Sequence, residues 1–437
     1  MTNPQGSDRR GFLAGFMQSL SKIEPNELKA TFASFGFVFI LMSAYYILKP
    51  VRDAMASDWS DADVSWLWTI NLFVTLGLNF LYSLALSVAR LKVVVPALYG
   101  FFALSFVGFA LGSDHIVDVV LMHKAFYVWI SVFALFHVSV FWSFMADLFN
   151  KEQARRLFGF IATGASVGGL VGPLVPVFLA GTVSNNGLMV IAALLLVLVI
   201  PTIAYLERLK VTELHNAAAG SAPARQTLGG NPFAGFTLLL KSPFMLGIAV
   251  FLFFYTSLGS FIYFELKNLL APYDSATRTQ IQSGINWAIN VCTILTAVVA
   301  TSRLTTRFGM SVTLALIPVM MVGGLLAVSV VASVWIVVFA QVALKAGNYA
   351  ITRPGREMLF TLVDRETRFK TKPVIDTLVY RVGDSLNAWS FTALSEGLGL
   401  GMSALALVGA VIAGAWALVG VVLGRAYHRD KSHAASR

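Results

Sequence analysis

Twelve runs of apolar residues dominate the chain, each long enough to cross about 30 Å of hydrocarbon. They fall near residues 30–49, 64–89, 92–112, 118–148, 155–181, 185–206, 243–267, 278–301, 309–329, 333–352, 372–397 and 401–425. With so little sequence left outside them, the chain reads as an all-α polytopic membrane protein of twelve transmembrane helices. Its mean hydropathy of +0.75 agrees.

Composition removes several classes of function. The single cysteine, Cys292, lies inside an apolar run, so neither a disulfide framework nor a cysteine metal site is available. The six histidines show no HExxH-type spacing, and no cofactor loop or nucleophile–base pair is evident. A metal, a cofactor and an enzymatic activity are therefore not expected. The formal net charge of +10 could suggest nucleic acid, but most of the 32 Lys and Arg lie in short loops between apolar runs. That is the signature of topology, so no nucleic-acid partner is expected. It places both termini, and the clusters at Arg90–Lys92, Lys151–Arg156, Arg303–Arg307 and Arg353–Lys372, on the cytoplasmic side. The opposite loops carry mainly acids: Asp58, Asp61, Asp63, Asp114 and Asp118. No signal-peptide pattern opens the sequence; residues 11–23 read as a short interfacial helix or a loose tail.

Five segments follow from this pattern. They are a cytoplasmic N-terminal segment (1–29), a six-helix bundle (30–206), a linker rich in Gly, Ala, Ser and Pro (207–242), a second six-helix bundle (243–425) and a cytoplasmic tail (426–437). Three short matches recur in the same order in both halves. Tyr45-Tyr46-Ile47-Leu48-Lys49 pairs with Tyr263-Phe264-Glu265-Leu266-Lys267, and Arg90-Leu91 with Arg303-Leu304. Asp147-Leu148-Phe149 pairs with Glu357-Met358-Leu359-Phe360. Together they suggest a parallel six-plus-six repeat, the arrangement of the major facilitator fold.

Charges inside apolar runs are costly and mark pathways by default. The basic residues outside the cytoplasmic loops are Lys49, Arg52, Lys124, Lys267, Arg278, Lys345 and Arg381. Arg278 reads as an outer-loop residue, and the rest fall on spans one, four, seven, ten and eleven. In a facilitator those spans line the central cavity. If the first helix runs past Pro50, Tyr45, Lys49 and Arg52 share a face, and Glu265 with Lys267 takes the equivalent place in the second half. At about 100° per residue, Asp376, Asn387, Tyr380, Asp384 and Arg381 share one arc of span eleven, opposite Ile375, Leu378, Val379, Val382 and Leu386. Set against Asp53, Glu265, Asp376 and Asp384, the six bases leave a surplus of positive charge, so the expected partner is a small anionic solute. Asp376, Asp384 and Glu265 are the coupling candidates. The competing reading makes Arg381, Asp384 and Asp376 a buried ion-pair network that fixes packing, Lys124 a snorkelling lysine and His137 a packed core residue.

Two cytoplasmic clusters read as an inner gate or, equally, as solvated topogenic loops. They comprise Asp147, Glu152, Arg155 and Arg156 after span four, and Arg353, Arg356, Glu357, Asp364 and Arg368 after span ten. The small residues from Gly164 to Gly172 lack the GK[ST] ending of a nucleotide loop and suit close helix contact.

The chain resembles the nucleotide transporter family, the ATP:ADP antiporters of plastids and intracellular bacteria with their wider bacterial relatives. The resemblance rests on Tyr45 to Asp53, Phe141-Trp142 through Arg156, Asn231-Pro232-Phe233, and above all Arg353-Pro354-Gly355-Arg356-Glu357-Met358-Leu359-Phe360-Thr361 with Lys370, Lys372, Ile375-Asp376-Thr377 and Tyr380-Arg381. It implies a facilitator fold in a bacterial inner membrane, acting as a monomer, and exchange of nucleotides. The family's basic residue after span one maps onto Arg52 and its span-seven acid near Glu265. Its span-four glutamate has no counterpart near Ile130 and Ser131, and its span-eleven lysine is replaced by Asp384. Proton-coupled movement of an unrelated amphiphile, and a non-transporting receptor on the same fold, are the alternatives.

Overall fold

The computed structural model describes residues 23–88, 91–112, 118–214, 216, 234–299 and 301–435. The segment expected at 11–23 lies outside them save for its last residue, as do residues 217–233 of the linker. The described chain is helical: α1 (Leu28–Met55), a 3-10 turn (Ala56–Asp58), α2 (Asp61–Val88), α3 (Leu91–Gly112), α4 (Val119–Leu148), α5 (Lys151–Val171), α6 (Leu174–Leu179), α7 (Asn185–Thr212) and α8 (Ala234–Lys241). There follow α9 (Pro243–Leu270), α10 (Ser275–Val299), α11 (Thr301–Val330), α12 (Val334–Gly347), a π-helical segment (Asn348–Thr352), α13 (Arg353–Leu359) and α14 (Arg365–Pro373). A second π-helical segment (Val374–Val379), α15 (Tyr380–Thr392), a third (Ala393–Gly397) and α16 (Met402–Ala435) complete it.

Among the described residues, eleven stretches are long and apolar enough to cross a membrane. The expected span at 372–397 is not among them by composition, yet it is helical throughout as the end of α14, α15 and two π-helical segments. With it the architecture is the expected twelve-helix one. Polar residues set the helix starts. Asp118 accepts from Leu121 N (2.9 Å) at α4, Asn150 and Gln153 form a capping box at α5, and Ser242 precedes Pro243 at α9. Asp274 caps α10 through Thr277 N (3.0 Å), and the Thr277 hydroxyl and amide hold its carboxyl below the usual range.

The chain divides into two compact units. One comprises Met1–Met55, Phe73–Gln226 and Asp274–Trp287; the other comprises Ala56–Leu72, Thr227–Tyr273 and Ala288–Arg437. The division runs through α2 and α10, and the start of each belongs with the opposite half of the sequence.

In the first unit α1 packs on α4, α5 and α7, with Phe37 buried among the rings of Tyr99, Phe141 and Phe144. A Cβ on Gly164 or Gly168 would come within 2.5 Å of the Phe35 or Phe39 carbonyl oxygen of α1. The small-residue run therefore permits the backbone approach expected of it. In the second unit α11 lies along α16, and Trp416 is buried against Phe251 and Tyr255. Gly309 breaks α11 at φ +78°, a conformation open to glycine. His428 of α16 fills the break, its Nε2 accepting from Met310 N at 3.2 Å.

Candidate functional site

The ionisable residues of the first unit gather at the end of α1, which continues through Pro50. Tyr45 stacks on His137 at 4.8 Å between ring centroids, and His137, itself buried, donates from Nδ1 to Phe133 O (3.0 Å). That histidine is a packed residue, as expected. Lys49 donates to the Asn286 side-chain oxygen. Arg52 is held on three sides: Asp53 accepts from its Nη2 (2.6 Å) and Nε (2.9 Å), Ser131 Oγ from its Nη1 (3.0 Å), and the Tyr127 ring lies 5.0 Å from Cζ. Lys124 is half-buried in the second turn of α4.

In the second unit the expected residues separate into three environments. Lys267 is buried and committed, donating to Asp61 Oδ1 and to the Trp59 carbonyl at 2.7 Å each. Asp61 also accepts from Asn268 (3.3 Å) and Ser395 (2.8 Å), while Glu396 accepts from the amides of Asp61 (2.6 Å) and Ala62 (3.2 Å). Two residues before Lys267, Glu265 is 0% exposed, and neither of its oxygens has a hydrogen-bond partner among the described residues.

The third environment surrounds Lys345. Its Nζ lies 5.4 Å from the centroid of the Tyr255 ring, and Tyr255, Tyr349, Tyr380 and Asp384 are its electrostatic neighbours. Asp384 is also a neighbour of Arg381, and all three charged residues are half-buried. Among the described residues, neither Lys345 nor Arg381 has a carboxylate within the 4.0 Å of an ion pair. Arg381 and Asp384, three residues apart, are thus electrostatic neighbours rather than a closed ion pair.

Span eleven does not follow a single α-helical wheel. Val374–Val379 is π-helical, so 100° steps do not carry across it. Ile375, placed on the lipid face, is fully buried. Asp376, placed on the arc of Asp384, instead accepts from Arg356 Nη2 at 2.9 Å. The buried network of Arg381, Asp384 and Asp376 is therefore not what the structure contains. Arg278 also departs from the reading: it is buried in the first turn of α10 rather than lying in a loop.

Several of the charges expected at the cytoplasmic helix ends pair within their own unit. Asp147 pairs with Lys210 (2.7 Å), and Arg156 with Glu24 (3.0 Å) and Glu27 (2.8 Å), while Glu152 and Arg155 are exposed on α5. Glu357 pairs with Arg356 (3.5 Å) and with Lys372. Asp364 caps α14 through Thr367 N (2.9 Å), Arg368 lies over the Phe369 ring (5.6 Å), and Arg353 is exposed.

The family signature of the Major Facilitator Superfamily matches residues 31–367. The chain belongs to the major facilitator superfamily. Solved structures agree with this assignment. A bacterial homolog of the human lysosomal transporter Spinster, inward-facing and unoccupied, superimposes with a TM-score of 0.60 at 14% identity, covering 93% of this chain and 98% of that one. The nucleoside transporter NupG does so with a TM-score of 0.60 at 12% identity, over 92% of this chain and 99% of its own. At such identities the likeness is one of fold. No curated protein matches the sequence. This facilitator is a multi-pass membrane transporter rather than an enzyme.

Sequence reasoning passed over Asp61, Glu396, Asn286, Tyr255 and Glu27. The first two lie at the ends of apolar runs, where acids read as loop residues. For Tyr255 a signal existed, since an aromatic ring within a span expected to carry functional charge is a natural seat for a cation.

Proposed function

We propose that this facilitator moves an anionic solute across a bacterial inner membrane by alternating access, and that the solute is a nucleotide or another phosphorylated or carboxylated metabolite. The observation that carries this reading is the state of Lys345 and Arg381. Both lie in spans that cross the membrane, both are half-buried, and neither is closed on a carboxylate. A cation at that depth normally pairs with an acid or faces a wet, functional space. Two such cations beside a single acid, Asp384, favour a guest whose own negative charge completes the set. Guanidinium and ammonium groups bind phosphate and carboxylate through charge-assisted hydrogen bonds.

Tyr255, Tyr349 and Tyr380 add phenols and ring faces to the same cluster. Separately, within the first unit, Lys49 donates to Asn286 and Arg52 to Asp53. The resemblance to the ATP:ADP antiporters supports a nucleotide, and Asp384, standing where that family carries a lysine, separates this site from theirs.

Reconstituted protein tests the reading directly. Proteoliposomes are expected to take up a phosphate- or carboxylate-bearing solute saturably from a panel of nucleotides, sugar phosphates and dicarboxylates. Uptake of neutral nucleosides alone, with no anion competing, would reject it.

A further inference from the structure

We propose that Glu265 is a proton-carrying site of this transporter, separate from the cluster around Lys345. The inference goes beyond the anion reading and depends on it only for the identity of the solute that the proton would drive.

Of the four acids marked as cavity or coupling candidates, three are engaged or hydrated. Asp53 is bonded to Arg52, Asp376 to Arg356, and Asp384 is half-buried beside two cations. Glu265 alone is fully buried, with both oxygens unbonded. It lies about a turn and a half before the end of α9, between Phe264 and Leu266, both of which are also fully buried. Phe264 packs on Trp68 and Phe391.

An ionised carboxylate without a partner in such surroundings loses its hydration and gains nothing in return. Transfer of an isolated charge into an apolar interior costs far more than binding a proton. The group is therefore neutral as it stands.

No charge near it changes that conclusion. α9 is packed against α8, α12, α15, α16, the Val374–Val379 segment and the turn Ala56–Asp58. Among the described side chains, the ionisable groups on these elements are Lys241, Lys345, Tyr380, Arg381, Asp384, Asp376 and Asp58, with Arg425, Tyr427, His428 and Arg429 at the far end of α16. None of them hydrogen-bonds to Glu265, whose two oxygens have no partner among the described residues. Lys267, the nearest cation on α9 itself, is two residues along and closed on Asp61.

Residues two apart on a helix do not face each other, so Lys267 cannot serve Glu265 without a rearrangement. A proton held there can leave only when α9 exposes this level to water. The Asp61–Lys267 pair, by fixing the turn before α2 to the end of α9, opposes that exposure. Release is then the loss of H⁺ from Glu265 to a water molecule, and uptake is its reverse.

Infrared spectroscopy of the full-length protein in lipid nanodiscs reads the site without any solute. The wild type is expected to show a protonated-carboxyl band at neutral pH that is missing from Glu265→Gln and returns, shifted, in Glu265→Asp. Identical spectra for the wild type and E265Q would overturn the proposal. Because E265Q keeps the neutral shape, its thermal unfolding is expected to match the wild type; a large loss of stability would mean that the carboxylate is charged and paired, and would overturn it equally. Failure of the anion panel leaves the infrared result standing, so the two readings fail separately.

Discussion

Lys267 and Lys345 are both lysines on membrane-spanning helices of the same unit, yet their surroundings are opposite. Lys267 is sealed in, with an aspartate and a backbone carbonyl at 2.7 Å. Lys345 has a tyrosine ring at 5.4 Å and, among the described residues, no carboxylate within ion-pair distance. Charge at membrane depth is therefore two things in one molecule. A closed pair fixes helices to each other, whereas an open cation keeps its field for something that comes and goes.

The contrast can be broken at either end. The largest expected effect is on the closed pair: Asp61→Asn leaves Lys267 buried without its counter-ion, which costs about 3–5 kcal/mol. Chemical or thermal unfolding in detergent reads this directly, and unchanged stability would erase the distinction. Next come Lys345→Ala and Arg381→Ala, each expected to lower solute uptake by about 100-fold while leaving the unfolding transition in place. Should either variant unfold instead, that cation belongs with Lys267.

Arg52 sits between the classes, because Asp53, Ser131 and Tyr127 satisfy it while leaving it partly exposed. Arg52→Ala is expected to reduce uptake by roughly tenfold, within the range for loss of a single charge-assisted contact. Smallest is Tyr255→Phe, which keeps the ring face beneath Lys345 and removes only the hydroxyl; a change of about threefold or less in apparent affinity is expected. A loss as large as that of Lys345→Ala would mean that the hydroxyl, rather than the ring, positions the lysine.

Much of this was legible in the sequence, for reasons that differ by residue. The apolar runs declare themselves because lipid leaves the backbone no other partner than its own helix. Gly164 and Gly168 announced a close contact by their spacing alone, and α1 continues through Pro50 as the shared face of Tyr45, Lys49 and Arg52 requires. Partnerships between distant residues were not legible. Asp61 and Lys267 are 206 positions apart, and only the folded chain brings them together. Asp376 was misplaced for a local reason, since a π-helical segment changes the phase of every residue beyond it. The burial of Glu265 could not be inferred either, because a lone acid in an apolar run reads the same whether it lines water or is sealed from it.

The polar run from Arg365 to Gly397 also bears on how the protein is made. Each Asp, Lys or Arg near the middle of a membrane helix costs about 2.5–3.5 kcal/mol at insertion. Asp376, Arg381 and Asp384 fall inside the expected span of this run, which therefore gains too little to enter lipid unaided. Its helical partner, α9, stands earlier in the chain and has left the ribosome before α15 is made. Biogenesis thus supplies a protein surface for this helix before lipid has to accept it, and its place in the membrane belongs to the assembled bundle rather than to the segment.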